Sequence, residues 1–106
     1  MEQLENYICK ELGWCHCGSL RESITLLQLV LEEFDRCRDD KNWDACQSMI
    51  DRLLCKEQNE ALYYSYLYML HANGLIEHGG SIAGAWISER GSEVLEQINQ
   101  YSGRSH

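Results

Sequence analysis

The chain has 106 residues, of which 44% are hydrophobic and 25% charged, a composition typical of one globular domain and not of a disordered segment. Seventeen acidic side chains outnumber nine basic ones, and the formal net charge of −8 disfavours nucleic acids and anionic membranes and favours basic partners. No apolar run approaches the roughly 18 residues that a membrane-spanning helix requires, and no signal pattern opens the chain. We therefore expect a cytoplasmic protein with no membrane association.

Two helices are predicted in the first third of the chain. Residues 1–12 carry apolar side chains four positions apart, and Gly13 follows as a stop. That first apolar face consists of Leu4, Ile8 and Leu12. The run Ser19-Leu20-Arg21-Glu22 matches a capping box, which marks the start of a second helix. Its predicted buried face consists of Leu20, Ile24, Leu27, Val30 or Leu31, and Phe34.

The rest of the chain is predicted to form two more helices, a hairpin and a closing helix. After a charged connection at residues 36–41, a third helix follows from the spacing of Trp43, Cys46, Ile50 and Leu53 or Leu54. Asn59 is placed to cap a fourth helix over residues 60–73, which buries Tyr63, Leu67 and Leu70 and ends at Gly74. A two-stranded hairpin over residues 75–88 and a helix over 89–101 complete a mainly α (α+β) domain. Residues 1–101 form this domain, and 102–106 are a loose tail.

Residues 66–77, Tyr-Leu-Tyr-Met-Leu-His-Ala-Asn-Gly-Leu-Ile-Glu, resemble the passage from helix to wing in bacterial and phage winged helix-turn-helix proteins. Residues 86–95, Trp-Ile-Ser-Glu-Arg-Gly-Ser-Glu-Val-Leu, are similar to the strand and final helix that follow the wing, where a Ser or Thr caps the helix. Residues 79–84 would then form the wing tip. The resemblance covers about residues 59–100 and implies a winged-helix fold of four to five helices. It also implies that the fourth helix enters the DNA major groove while the wing contacts phosphates.

The charge pattern departs from that family. No Lys or Arg occurs between Lys56 and Arg90, although DNA affinity comes largely from phosphate neutralisation. Tyr64, Tyr68 and His71 share the predicted outer face of the fourth helix, and aromatic rings are common at protein interfaces. The leading hypothesis is therefore a non-enzymatic acidic module that binds a basic protein surface. One version is a phage-encoded, anti-CRISPR-like inhibitor that mimics DNA and occupies a host protein's nucleic-acid-binding surface. The predicted partner-binding residues are Glu57, Glu60, Tyr64, Tyr68, His71 and Glu77.

Three alternatives stay open at this point. Some of the aromatic rings would instead fill the core or a homodimer seam, with residues 1–12 and 89–101 as the pairing segments. Another alternative is a dimeric transcription regulator, which would read DNA with two of the same residues, Tyr68 and His71. The further nucleic-acid-binding residues of that regulator would be Arg36, Arg38, Lys41, Asn59 and Ser65, with the three cations expected in a loop before the third helix.

The six cysteines favour free thiols over a metal site. Cys9, Cys15, His16 and Cys17 superficially resemble a zinc cluster, but they lack the paired C-x2-C spacing of the familiar sites. Zinc and free thiols both remain open for Cys9, Cys15 and Cys17, and reduced thiols fit the expected location better. No nucleophile elbow, P-loop, metalloprotease or dinucleotide motif occurs. We therefore expect no catalytic residues, cofactor or metal.

Overall fold

The computed structural model describes residues 2–14, 20–39, 43–80 and 82–101. Within these ranges, five α-helices and one two-stranded antiparallel hairpin, which lies between the fourth and fifth helices, form a mainly α, winged-helix-like layout, as the sequence predicts. The helices are α1 (Glu2–Asn6), α2 (Leu20–Asp39), α3 (Trp43–Leu53), α4 (Glu60–Ala72) and α5 (Glu89–Tyr101). The strands are β1 (Ile76–Glu77) and β2 (Trp86–Ile87).

The first helical segment is irregular. After α1 the backbone continues as a π-helical turn, Tyr7–Glu11, which ends just before Gly13, and Gly13 has a φ of +78°. Glycine adopts this left-handed conformation without a steric penalty, so the predicted stop is confirmed. All three members of the predicted apolar face are buried: Leu4, Ile8 and Leu12. The segment is thus anchored by burial, because so short a helix is marginal by itself.

The second helix, α2, is the centre of the fold and packs against α3, α5 and β2. Its predicted apolar face is confirmed for Ile24, Leu27, Val30, Leu31 and Phe34, which are all buried. The side chain of Leu20, the first predicted member, lies outside the described residues. The predicted connection at residues 36–41 is wrong in its start, because α2 continues to Asp39. Residues 20–39 contain no Gly or Pro, and the Arg36 guanidinium pairs with Glu33 at 3.1 Å across one helical turn.

A short turn joins α3 to α4. Asn59 accepts a hydrogen bond from the Leu62 backbone N–H at 3.0 Å, so the predicted cap of α4 is confirmed. Within the turn Cys55 has a φ of +55°, which is uncommon for a residue with a Cβ. The buried residues of α4 are Tyr63, Tyr66, Leu67 and Leu70, and Gly74 follows with a φ of +75°. Tyr66 was not predicted in this set; its ring lies 5.2 Å from that of Trp14.

The hairpin over residues 75–88, here called the wing, has strands of only two residues each, which are shorter than predicted. Ile76 pairs with Ile87 and Glu77 with Trp86. A 3-10 turn, Ile82–Gly84, lies between the strands and contacts α4. Ile82 is only 6% exposed. This apolar anchor holds the turn against α4, so this part of the wing tip does not extend away from the domain.

The junction of the wing with α5 explains two residues of the resemblance. Ser88 Oγ donates to the Gly74 carbonyl and accepts from the Gly91 backbone N–H at 2.9 Å, so it caps α5 as predicted. The Ser88 backbone N–H donates to the Leu75 carbonyl at 3.0 Å. A Cβ at Gly91 would lie 2.1 Å from that same carbonyl oxygen. Only glycine fits where α5 crosses the start of the wing.

The cysteines correct one expectation. Cys9 is disulfide-bonded, so the prediction that it is a free thiol or a zinc ligand is wrong, because a disulfide sulfur is no thiolate. Cys37, Cys46 and Cys55 are free, the first two buried and the third exposed. Burial and a hydrogen bond with Cys46 raise the pKa of Cys37 to about 12. Several predictions lie outside the described residues: the Ser19 cap, Cys15, His16, Cys17, Lys41, the side chain of Arg38, and the tail at 102–106.

Candidate functional site

The orientation of α4 is set by a polar cluster at the helix-turn-helix. The Tyr63 hydroxyl donates to Asp51 Oδ1 at 2.7 Å and accepts from Gln47 Nε2 at 3.2 Å. The Lys56 ammonium lies 3.9 Å from Asp51 Oδ2 and 5.2 Å from the centre of the Tyr63 ring. The pKa of Tyr63 is raised above its ordinary value, mainly by burial and secondly by the hydrogen bond to Asp51. This cluster fixes which side of α4 faces outward.

The outward side of α4 carries a large aliphatic and a large aromatic side chain among smaller and polar ones. We call it the outer face of α4, and its exposed members are Ala61, Leu62, Ser65, Tyr68, His71 and Ala72. Leu62 is 39% exposed and Tyr68 is 57% exposed. Tyr64 is only half-buried, and its ring packs edge-on against Tyr63 at 5.0 Å. The predicted aromatic stripe is therefore split, because Tyr68 and His71 are exposed while Tyr64 also packs against the core.

The wing extends this surface beyond the last turn of α4. The His71 and His78 rings have centres 4.7 Å apart, which places the end of β1 beside the end of α4. Glu77 is exposed, and its cross-strand partner Trp86 is 39% exposed. Paired residues in a sheet point to the same side, so Glu77 and Trp86 share the outward side of the wing.

The opposite end of α4 carries mixed charge. Two of the predicted acidic residues, Glu57 and Glu60, line an open groove of about 1020 Å³ beside the turn. The same groove is lined by Arg52 and Lys56. Arg52 and Lys56 therefore lie beside the start of α4, although residues 57–89 contain no Lys or Arg. Glu77 lies at the other end of α4, on the wing.

The residues of the DNA-binding alternative are not assembled around α4. Arg36 lies in α2 and pairs with Glu33, and Arg38 also belongs to α2, so their prediction as loop residues is wrong. The main neighbours of α2 are α3, α5 and β2, whereas those of α4 are β1 and the 3-10 turn. Asn59 Oδ1 is used to cap α4, and the Ser65 hydroxyl donates to the Ala61 carbonyl at 3.0 Å.

The segments predicted for a dimer seam contact each other within one chain. The Tyr101 hydroxyl donates a hydrogen bond to Glu5 Oε2. This hydrogen bond is the main cause that raises the pKa of Tyr101, and burial is the second. The Arg90 guanidinium lies 5.3 Å above the Tyr7 ring. These contacts use some of the polar groups that a partner chain would otherwise meet, and a homodimer through these segments stays a prediction.

Three residues of this surface were missed from the sequence: Leu62, His78 and Trp86. The signal for Leu62 was that α4 is apolar around most of its circumference, which leaves apolar side chains outside whichever side is buried. Trp86 follows from strand alternation, because Ile87 next to it is buried. The approach of His78 to His71 depends on how the wing folds back, and no local pattern indicates it.

No group of three or more His, Cys, Asp and Glu side chains suited to a metal ion occurs within residues 2–14, 20–39, 43–80 and 82–101. None of the helices in those ranges is long and apolar enough to cross a membrane. Comparisons with protein-family models, with curated proteins and with solved structures find no match for this chain. Support for a function therefore comes from the surface of the protein itself.

Proposed function

We propose that this protein is a winged-helix-type module that binds a basic protein surface through the outer face of α4 and the adjoining side of the wing. The observation that carries the proposal is the exposure of Leu62 and Tyr68 on a helix whose other side is fully occupied by the core. A helix that is apolar around most of its circumference is typically covered on all sides. A partner would supply the missing cover.

The composition of this surface suits protein recognition. Rigid aromatic side chains such as Tyr68 and Trp86 provide large contact areas at low entropic cost and are frequent among interface hot spots. The acidic side chains beside this surface are Glu60 and Glu77, and no Lys or Arg occurs in the sequence from residue 57 to 89. Arg52 and Lys56 lie near Glu60 in the groove at one end of α4, so the acidic character is strongest towards the wing. Such a surface attracts a partner rich in Lys and Arg and repels the phosphate backbone of DNA.

A specific version of this function is inhibition. A small acidic protein that covers the basic nucleic-acid-binding surface of a host protein would block DNA or RNA by occupying the same cations. We propose an anti-CRISPR-like phage inhibitor as that version, on the support of small size, net charge of −8 and a winged-helix-like layout. Its proposed place of action is the cytoplasm, where a disulfide such as that of Cys9 is uncommon. Its partner would lose nucleic-acid binding when this protein is present.

The experiment is affinity capture with the immobilised chain and matched variants, followed by Kd measurement with each purified partner. Tyr68→Ser removes the exposed ring, and Leu29→Ser on α2 is the control because Leu29 is 38% exposed. Truncation of a hot spot costs about 2 kcal/mol, or roughly 30-fold in affinity. We expect this loss for Tyr68→Ser and little change for Leu29→Ser. Equal effects of the two variants would contradict the proposed surface.

Charge is tested separately. Glu60→Lys with Glu77→Lys reverses the acids near the outer face, while Glu93→Lys with Glu96→Lys makes the same change on exposed positions of α5. Both pairs change the net charge by the same amount, so the second pair measures the general effect of charge. We expect the first pair to abolish capture and the second pair to weaken it only slightly. DNA binding by the unsubstituted chain is measured by fluorescence anisotropy of a labelled generic duplex at about 50 mM salt. Salt-sensitive DNA binding by the unsubstituted chain would replace this proposal with the transcription regulator.

A further inference from the structure

The two histidines at the junction of α4 and the wing have a spacing that suits a metal ion. His71 lies in the last turn of α4 and is exposed, and His78 directly follows β1 and is half-buried. Their ring centres are 4.7 Å apart with 53° between the ring planes. They come from different elements, so their proximity is a product of the tertiary fold and not of helical spacing.

That distance agrees with ligation of one ion by both rings. Zn²⁺ lies about 2.0–2.1 Å from an imidazole nitrogen, which places it about 3.2 Å from the ring centre. Two rings bound at between about 90° and about 109° then have centres about 4.5–5.2 Å apart, covering square-planar to tetrahedral geometry. The observed 4.7 Å falls within this interval.

The tautomer of His78 is also suited to ligation. His78 Nδ1 lies 3.0 Å from the Gly79 carbonyl oxygen. A carbonyl oxygen only accepts hydrogen bonds, so a neutral His78 carries its proton on Nδ1 and leaves the lone pair of Nε2 free. A histidine that binds a metal through one nitrogen usually donates a hydrogen bond from the other to a carbonyl or carboxylate. The Gly79 carbonyl already provides that second contact.

We infer that His71 and His78 form a two-histidine site for a divalent transition-metal ion of the Ni²⁺, Cu²⁺ and Zn²⁺ class. Imidazole nitrogens favour these ions over Mg²⁺ and Ca²⁺, which prefer oxygen ligands. Two protein ligands leave the other coordination positions to water, so the ion exchanges readily. When bound, it ties the wing to the last turn of α4 and adds positive charge beside Tyr68. The site overlaps the proposed partner-binding surface at His71, but the inference does not rest on that partner.

The test is isothermal titration of NiCl2 into the full, untagged chain carrying Cys55→Ser, because Cys55 is an exposed free thiol that would compete for the ion. We expect this background protein to bind one Ni²⁺. Adding His71→Ala or His78→Ala removes the chelate and weakens that binding about tenfold or more. Adding His106→Ala, at a histidine with no cysteine beside it in the sequence, should change the affinity by about twofold or less, well below the loss expected for His71→Ala or His78→Ala.

Two results would overturn the inference. One is the absence of Ni²⁺ binding by the background protein, and the other is undiminished affinity in the double variant His71→Ala/His78→Ala. A second measurement needs no change to either histidine. In two-dimensional NMR of the Cys55→Ser chain, in which both histidines are intact, paramagnetic Ni²⁺ should first broaden the amide signals of residues 70–80. Broadening that begins elsewhere would also contradict the site.

Discussion

Gly91→Ala tests whether the wing and α5 are held together as described. The added Cβ would lie 2.1 Å from the Leu75 carbonyl oxygen and 2.8 Å from Ile87 Cγ1. An ordinary contact with that oxygen requires a separation more than about 1 Å larger, so either α5 or the start of the wing has to move. The moving carbonyl is the one that accepts from the Ser88 backbone N–H.

The expected loss of stability follows from three contributions. Overpacking costs about 1–3 kcal/mol, and a buried N–H that loses its acceptor costs about 1–3 kcal/mol. Alanine in place of glycine within a helix returns about 1 kcal/mol. The net destabilisation is then about 1–5 kcal/mol. A central value near 3 kcal/mol corresponds to a fall in Tm of about 10 °C or more for a domain of this size.

The assay is urea unfolding followed by far-UV circular dichroism, with the m-value compared between variants to check that both unfold in the same way. Gly79→Ala is the matched control, because a Cβ there meets nothing within 4 Å. We expect Gly79→Ala to change the free energy of unfolding by about 0.5 kcal/mol or less. The packing argument is refuted if Gly91→Ala is as stable as the unsubstituted chain.

Four further outcomes are expected. Tyr63→Phe should cost about 1–3 kcal/mol at pH 7, as measured by urea unfolding, because the short hydrogen bond to the charged Asp51 is lost and only the longer one from Gln47 Nε2, at 3.3 Å, remains on Oδ1. Since folding raises the Tyr63 pKa, its stabilising contribution is complete below about pH 10 and declines at about 1.4 kcal/mol per pH unit above it; Tyr63→Phe should remove that decline. Ser92→Ala should be neutral or stabilising in thermal unfolding, because the Ser92 hydroxyl is buried without a hydrogen-bond partner. In timed alkylation at pH 8 with peptide mapping, Cys55 should react first and Cys37 only after unfolding; the opposite order would contradict their burial.

Most of the secondary structure could be predicted from the sequence, because the signals involved are local. Helical spacing located the buried face of α2, and Asn59 and Gly74 marked the limits of α4 through backbone chemistry that acts within a few residues. The sequence did not determine where α2 ends. The charged residues 36–39 resembled a loop, yet nothing in them interrupts a helix once the preceding turns are packed.

The composition of the candidate site, in contrast, depends on long-range packing. Burial of Tyr63 and Tyr66 selected which side of α4 is hidden, and that choice left Leu62 and Tyr68 outside. The sequence identified Tyr68 but could not distinguish it from Tyr64, because both fit the same helical spacing. The meeting of His71 with His78 required the wing to fold back on α4, a long-range packing event driven by buried side chains such as Ile82 and without a local sequence signature.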